Sequence, residues 1–187
     1  MGSGDENTPS GSLVAISTER LLATRLGDGD FDDIQLMHDD ARVMATLGGV
    51  RAAEDTRRFL RTADEHWQRY GYGLWLLRAR ADGRFVGRGG LRHLEVGGGP
   101  EVEVAYGFMP EAWGSGFATE IARAVLSVAF ERIGLASVVA FALTDNLASH
   151  RVMRKVGLEF ERDIVHAGLP HVLYRIDRNR FFSTRPD

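Results

Sequence analysis

Apolar and polar residues alternate along some stretches of the chain and recur at helical spacing along others. The two patterns divide it into elements. Arg20 to Leu26 (RLLATRL) reads as a first strand, and Asp30 stands where it can cap a short helix running through His38. Phe59, Leu60, Ala63 and Trp67 keep helical spacing between about Glu54 and Tyr70, and Gly71 to Gly73 end that helix. A meander of three strands follows: Tyr72 to Arg80, Arg84 to Leu94 and Glu101 to Met109. Asp82-Gly83 marks the first turn and Gly97-Gly98-Gly99-Pro100 the second. In the third strand, period two puts Val102, Val104, Tyr106 and Phe108 on one face. Glu101, Glu103, Ala105 and Gly107 take the other. Pro110 stops the strand, because proline cannot donate to a ladder.

A long apolar helix then runs through Ile121, Val125, Val128 and Phe130 to about Arg132. SVVAFAL, from Ser137 to Leu143, is an unbroken apolar run, as a central strand buried on both faces would be. Thr144-Asp145-Asn146 leads into a short helix, Ala148 to Val156, closed by Gly157. LEFERDIVHA and HVLYRID read as two last strands. This order predicts one α/β (mixed α+β) domain over residues 13–187: an antiparallel meander, then a single right-handed β-α-β crossover. Residues 1–12 read as a disordered tail or cloning remnant.

Composition narrows the function classes. A formal charge of -3 and a pI of about 6.1 give no support for nucleic-acid binding. With no cysteine there can be no disulfide, thiolate metal site or cysteine nucleophile, which fits the cytoplasm. No apolar run is long enough to span a bilayer, so no membrane partner is expected.

The stretch that carries chemistry is EAWGSGFATE, from Glu111 to Glu120. It starts the long helix with residues that weaken a helix; each glycine costs about 1 kcal/mol there. The first N–H groups of a helix lack partners, and the dipole makes that end positive. A phosphate answers both needs, and Gly114, Ser115, Gly116 and Ala118 let it approach the backbone. A tight strand-to-helix turn would also ask for glycine. A Walker loop is disfavoured because the stretch has no lysine. A Rossmann fingerprint is disfavoured because Thr119 stands where a third small residue belongs.

The stretch resembles the signature of the GCN5-related N-acetyltransferases (GNAT), Gln/Arg-x-x-Gly-x-Gly/Ala, with Trp113, Gly116 and Ala118 at those positions. Trp113 in place of Gln/Arg resembles the RimJ/RimL-like ribosomal-protein branch. Glu103, Pro110, Trp113, Gly114, Gly116 and the closing Ala118-Thr119-Glu120 all keep that branch's register. Downstream, Asn146-x-x-Ser149 and Lys155-x-Gly157-Leu158 match its second motif. The resemblance covers about residues 16–177. It implies a mostly antiparallel twisted sheet of about seven strands, flanked by helices and splayed in the middle for the cofactor.

It also implies acetyl-CoA as co-substrate, no metal, and direct attack by a primary amine, either a protein N-terminus or a small molecule. The backbone of Trp113, Gly114, Ser115, Gly116, Phe117, Ala118 and Thr119 would hold the pyrophosphate. Phe108 and Met109 would pair with the pantetheine arm and offer an N–H to the thioester oxygen. Asn146 would bond to the pantetheine amide, although it could also simply cap its helix. The family's proton-donating tyrosine is Met153 here, so Ser149 is the candidate to hydrogen-bond the sulfur, with a helix serine or water as alternatives. Glu103, whose small neighbours leave room for a substrate, is the candidate base; the alternative is a solvated strand carboxylate. His166 and His171 flank the last turn and could face the acceptor. The protein is expected to be a monomer or homodimer. A non-catalytic acyl-CoA-sensing module of the same fold, or a nucleotide-binding protein of another class, would fit the glycines as well.

Overall fold

The computed structural model describes residues 13–184, so the expected tail at residues 1–12 lies outside the described residues. Eight strands form one sheet: β1 (Ala15–Ser17), β2 (Leu21–Arg25), β3 (Leu74–Ala79), β4 (Phe85–Val96), β5 (Gly99–Phe108), β6 (Ser137–Leu143), β7 (Glu159–His166) and β8 (Leu169–Asp177). The spatial order is β1-β2-β3-β4-β5-β6-β8-β7, and every neighbour is antiparallel except β5 and β6. Six helices accompany it: α1 (Phe31–Asp39), α2 (Ala41–Met44), α3 (Ala53–Tyr70), α4 (Phe117–Ser127), α5 (Leu147–Lys155) and α6 (Arg178–Ser183). None of the described helices is long and apolar enough to cross a membrane.

The elements follow from local chemistry. In α3, Thr56, Leu60, Ala63 and Trp67 fall on one stripe and are the buried residues. Gly71 ends the helix in the left-handed region at φ 72°, donating its N–H to Trp67 O. The turn expected over Gly97–Pro100 is tighter than the sequence suggested. Gly97 and Gly98 alone make it, at φ 62° and 96°, so Gly99 and Pro100 already belong to β5. Two positive φ values in a two-residue loop are what strand twist favours, and glycine supplies them without strain.

Some expectations are corrected. The eight strands agree with the expected sheet of about seven; the addition is the three-residue β1, which pairs along β2. Asp30 is the N-cap residue of α1 as expected, but its side chain makes no capping bond; its carboxylate accepts from Gly27 N across a 3-10 turn at Asp28–Asp30. The helix expected to reach Arg132 is α-helical to Ser127 and continues in π form over Val128–Ile133. The short helices α2 and α6 are additional.

The two sheet faces differ in what covers them. The β5 alternation holds: Val104 and Phe108 join the main core with Ile121, Val125 and Leu126 of α4. Ala105 packs against Leu60, Ala63 and Leu76 in a second core shared with α1 and α3. β6 divides in the same way, with Val138, Ala140 and Ala142 in the main core and Val139 and Phe141 on the opposite face.

Candidate active site

β5 and β6 pair in parallel at one position only, Glu103 with Val139. Both strands continue past that point without pairing with each other, to Phe108 and Leu143, so the sheet opens as a wedge. Each strand leads into a helix: β5 into α4 through residues 109–116, and β6 into α5 through residues 144–146. Two helix N-termini therefore stand beyond the ends of the splayed strands, the part of an open α/β sheet where ligands gather. A surface depression of about 440 Å³ lined by Arg154, Leu158, Phe160, Tyr174 and Arg180 contains none of these residues. We place the site at the wedge.

The loop before α4 has the geometry a bound phosphate needs. Gly114 and Gly116 sit at φ 73° and 82°, and Gly116 is the N-cap residue. The first intrahelical bond runs from Glu120 N to Gly116 O at 3.1 Å, so the N–H groups of Phe117, Ala118 and Thr119 precede the ladder. A Cβ on Gly114 would meet nothing within 4 Å, and one on Gly116 would meet only Arg20 Nη2, at 3.4 Å. The space in front of the loop is open, and the residues present fit a pyrophosphate.

Two expected backbone donors are corrected. Trp113 N already donates to Pro110 O at 3.1 Å, so the free amides of the cradle begin after it. Met109 N donates to Val86 O and Met109 O accepts from Ala112 N, both at 2.9 Å. The Met109 N–H is therefore not left to pair with an added strand. Because hydrogen-bonded positions alternate along an antiparallel ladder, Phe108 N–H faces away from β4 and into the wedge. Trp113 acts here with its side chain, its Nε1 donating to Phe108 O at 2.8 Å and tying the loop to the end of β5.

What holds the loop was not visible in the motif. Glu120 Oε1 accepts from Thr18 Oγ1 at 2.5 Å and from Arg20 N at 2.8 Å, and Oε2 accepts from Arg20 Nε at 2.7 Å. Arg20 Nη1 then donates to Ser115 O at 2.8 Å, and its Cζ lies 4.9 Å from the Phe117 ring centroid. Burial pushes the Glu120 carboxyl up, but the hydrogen bonds from Thr18 and Arg20 outweigh it and hold the group below its ordinary value. Arg20 thus sets the loop and puts a cation beside it. Arg20→Ala is expected to lower CoA affinity about tenfold, the worth of one charge-assisted contact. Stability should fall by about 1 kcal/mol or less, because the pair is partly exposed. Calorimetry and thermal melting read the two effects separately.

At the other helix, Asn146 caps α5, its Oδ1 accepting from Ser149 N at 3.1 Å. The cap occupies Oδ1 and leaves the Nδ2 donors of Asn146 to project elsewhere. His150, which the sequence reading passed over, is 4 % exposed and fixes α5 to the end of β6 through Nε2 and Leu143 O, 3.0 Å apart. Tyr106 reaches from β5 across the wedge, its hydroxyl donating to Ser149 O at 3.4 Å. Burial pushes the Tyr106 phenol well up, so it keeps its proton. Met153 is buried in the main core.

Glu103 lies on the opposite face of the sheet from α4. It is buried but not among apolar groups alone, because Arg92 Nε donates to its Oε2. The expectation of a solvated strand carboxylate does not describe it. His166 and His171 come together on the same side of the sheet, their ring centroids 5.7 Å apart, and both pack edge-on against Phe141. His171 Nδ1 and Leu169 O are 2.9 Å apart. Burial, then the charges of His171 and Arg92, push His166 below its ordinary value, which leaves it neutral at pH 7. Glu103, Phe141 and the two histidines thus share one face, and the glycine loop lies beyond the end of the wedge.

Comparisons with known proteins agree with this architecture. A family model described as the acetyltransferase (GNAT) domain matches residues 20–159. Among curated proteins, YkkB of Bacillus subtilis is 28% identical over 139 residues, covering 74% of this chain and 81% of its own. YoaA of the same organism, an uncharacterized N-acetyltransferase, is 27% identical over 148 residues, covering 78% and 83%. A GNAT-family acetyltransferase from Bordetella pertussis superposes with a TM-score of 0.77 at 23% identity, covering 86% of this chain and 98% of its own. RimL, a ribosomal L7/L12 α-N-protein acetyltransferase solved with coenzyme A, superposes with a TM-score of 0.73 at 15% identity, covering 89% and 99%. The family model spans most of the chain, and the chain belongs to the GNAT acetyltransferase family.

Proposed function

We propose that the protein is an acetyl-CoA-dependent N-acetyltransferase of the RimJ/RimL-like type, acting on a primary amine. The observation that carries the reading is the wedge, open beyond Glu103 and Val139, with a positive-φ glycine loop and two helix N-termini beyond its strand ends. RimL, which shares the fold, was solved with coenzyme A. Acetyl-CoA supplies the acetyl group as an activated thioester.

The chain's residues divide the work. The amides from Gly114 to Thr119, with Arg20 beside them, receive the pyrophosphate. Phe108 N–H, directed into the wedge, bonds to the thioester oxygen and stabilises the charge it gains, as an oxyanion donor does. Asn146 uses its Nδ2 donors on pantetheine while Oδ1 keeps the cap. The amine enters from the face that carries Glu103, which takes its proton directly or through a water. His166 and His171 border the acceptor. Ser149 hydrogen-bonds the departing sulfur, with the Tyr106 hydroxyl close by.

The test is release of free CoA from acetyl-CoA with a panel of primary amines. Turnover with any of them supports the reading. Tight acetyl-CoA binding with no turnover would favour the sensing module instead. Within the enzyme reading, Ser149→Ala is expected to lower kcat about tenfold with KM for acetyl-CoA nearly unchanged, since a bond made only as the thiolate forms acts on the chemical step. Normal kcat in that variant would remove Ser149 from the reaction.

A further inference from the structure

Among the described residues, one buried cation on the face that carries Glu103 has no ion-pair partner. Arg88 and Arg92 project from β4 and Arg51 enters between α2 and α3. Arg92 is occupied by Glu103. Asp55, which also attracts Arg51, is 43% exposed and paired with Arg58. Arg88 is 4 % exposed, and among the described residues no carboxylate pairs with it and its Nε has no hydrogen-bond partner. Its contact is the Phe59 ring, 4.9 Å from Cζ to centroid, a ring that Arg51 approaches to 5.6 Å.

Two more unpartnered atoms lie in the same region. His38 Nδ1 is bonded to Thr56 Oγ1 at 2.8 Å, but His38 Nε2 is buried without a partner, and the His38 ring meets Phe59 edge-on. Gln35 donates from Nε2 to Arg51 O and to Asp39 Oδ1, while its buried Oε1 has no partner. Three of the four such atoms among the described residues therefore gather around Arg51 and Phe59; the fourth is His150 Nδ1. Buried polar groups normally find partners, and an unpaired guanidinium is the costliest to leave without one. Burial, then the nearby Arg92 and Arg51, push Arg88 down to about 9, so it still carries its charge at neutral pH.

We infer that the acceptor amine also carries a carboxylate, which the Arg88 guanidinium receives with Arg51 beside it, so that the substrates are small amino acids rather than neutral amines. The inference rests on the proposed reading of Glu103 as the base of the acceptor face. Planar bidentate pairing suits guanidinium to an oxyanion. Arg88 lies opposite Gly107, four ladder positions from Glu103, or about 13 Å of strand. Both side chains rise from the same sheet face, Arg88 opposite Gly107 and Arg92 opposite Glu103.

The experiment pairs each amine with a neutral counterpart: glycine, β-alanine, γ-aminobutyrate and glutamate against their carboxamides, and phosphoethanolamine against ethanolamine. CoA release and the melting-temperature shift caused by each compound are measured on wild type, Arg88→Met and Arg88→Lys. Wild type is expected to prefer acids over amides by about 10- to 100-fold in kcat/KM, the worth of a charge-assisted pair. Arg88→Met should erase that ratio and leave acetyl-CoA affinity unchanged. Its melting temperature without ligand should stay level or rise by about 2–4 °C, because an uncompensated buried charge is gone. Arg88→Lys should keep part of the preference. Equal use of acids and amides by wild type would overturn the inference, as would an acid preference surviving in Arg88→Met. Preference for phosphoethanolamine over every acid would overturn the carboxylate assignment. If no amine turns over, the enzyme reading fails on its own account. Stabilisation of wild type by acids, absent in Arg88→Met, would then still support the anion site, and its absence would reject it.

Discussion

Gly116→Val is expected to lower CoA affinity at least about 100-fold while the domain stays folded. Gly116 is the N-cap of α4 at φ 82°, a region a β-branched residue adopts only under strain of about 1–3 kcal/mol. The chain can escape that strain by rotating the loop, but then the amides from Gly114 to Thr119 no longer converge. Losing two charge-assisted bonds of about 1.5 kcal/mol each is enough for a 100-fold effect. Folding should survive for two reasons. The new Cβ would meet only the flexible end of Arg20. The helix behind it is anchored by Ile121 and Val125, which are 0% and 1% exposed. Gly116→Asn separates conformation from bulk, since asparagine tolerates the left-handed region and should retain much of the affinity. Calorimetry with CoA, beside a thermal melt, gives both readings; wild-type affinity in the valine variant would defeat the phosphate-cradle assignment.

Glu103→Gln is expected to lower kcat by about 100- to 10,000-fold, the range in which a general base contributes, with CoA affinity unaltered. Glutamine keeps the shape and can still accept from Arg92, but it cannot take a proton. The ion pair it removes is open to solvent on the Arg92 side, where that side chain is 39% exposed, so the stability loss should be about 1 kcal/mol. The separation of kcat from CoA affinity is what identifies a base rather than a structural carboxylate. Unchanged kcat would pass the role to another group on the same face, and His166, neutral at pH 7, is the next to test.

Most of the strand plan was legible because period two and glycine turns are local signals. The β5 alternation alone assigned Val104 to one face and Glu103 to the other. The glycine loop was legible for the same reason: helix-weakening residues at a nucleation point need an explanation. What escaped the sequence depends on distance along the chain. Glu120 looked like the last letter of a motif, and only the fold brings Arg20 and Thr18 to it from about 100 residues away. The occupied N–H groups of Trp113 and Met109 depend on a 3-10 turn at Pro110–Ala112 and on the β4 ladder, neither of which periodicity reveals. Arg88 is the plainest case. In sequence it is one arginine among many; in the fold it is buried beside Phe59 with Nε unpaired.

The most direct test of the account is calorimetric titration of the wild-type protein with acetyl-CoA, with ATP as the control. Saturable binding of acetyl-CoA that ATP does not displace is the predicted result. It would place the pyrophosphate and pantetheine at the wedge once Gly116→Val loses it. No binding of acetyl-CoA would mean that Gly114 and Gly116 serve only the turn into α4, and the proposed reaction would fall with them.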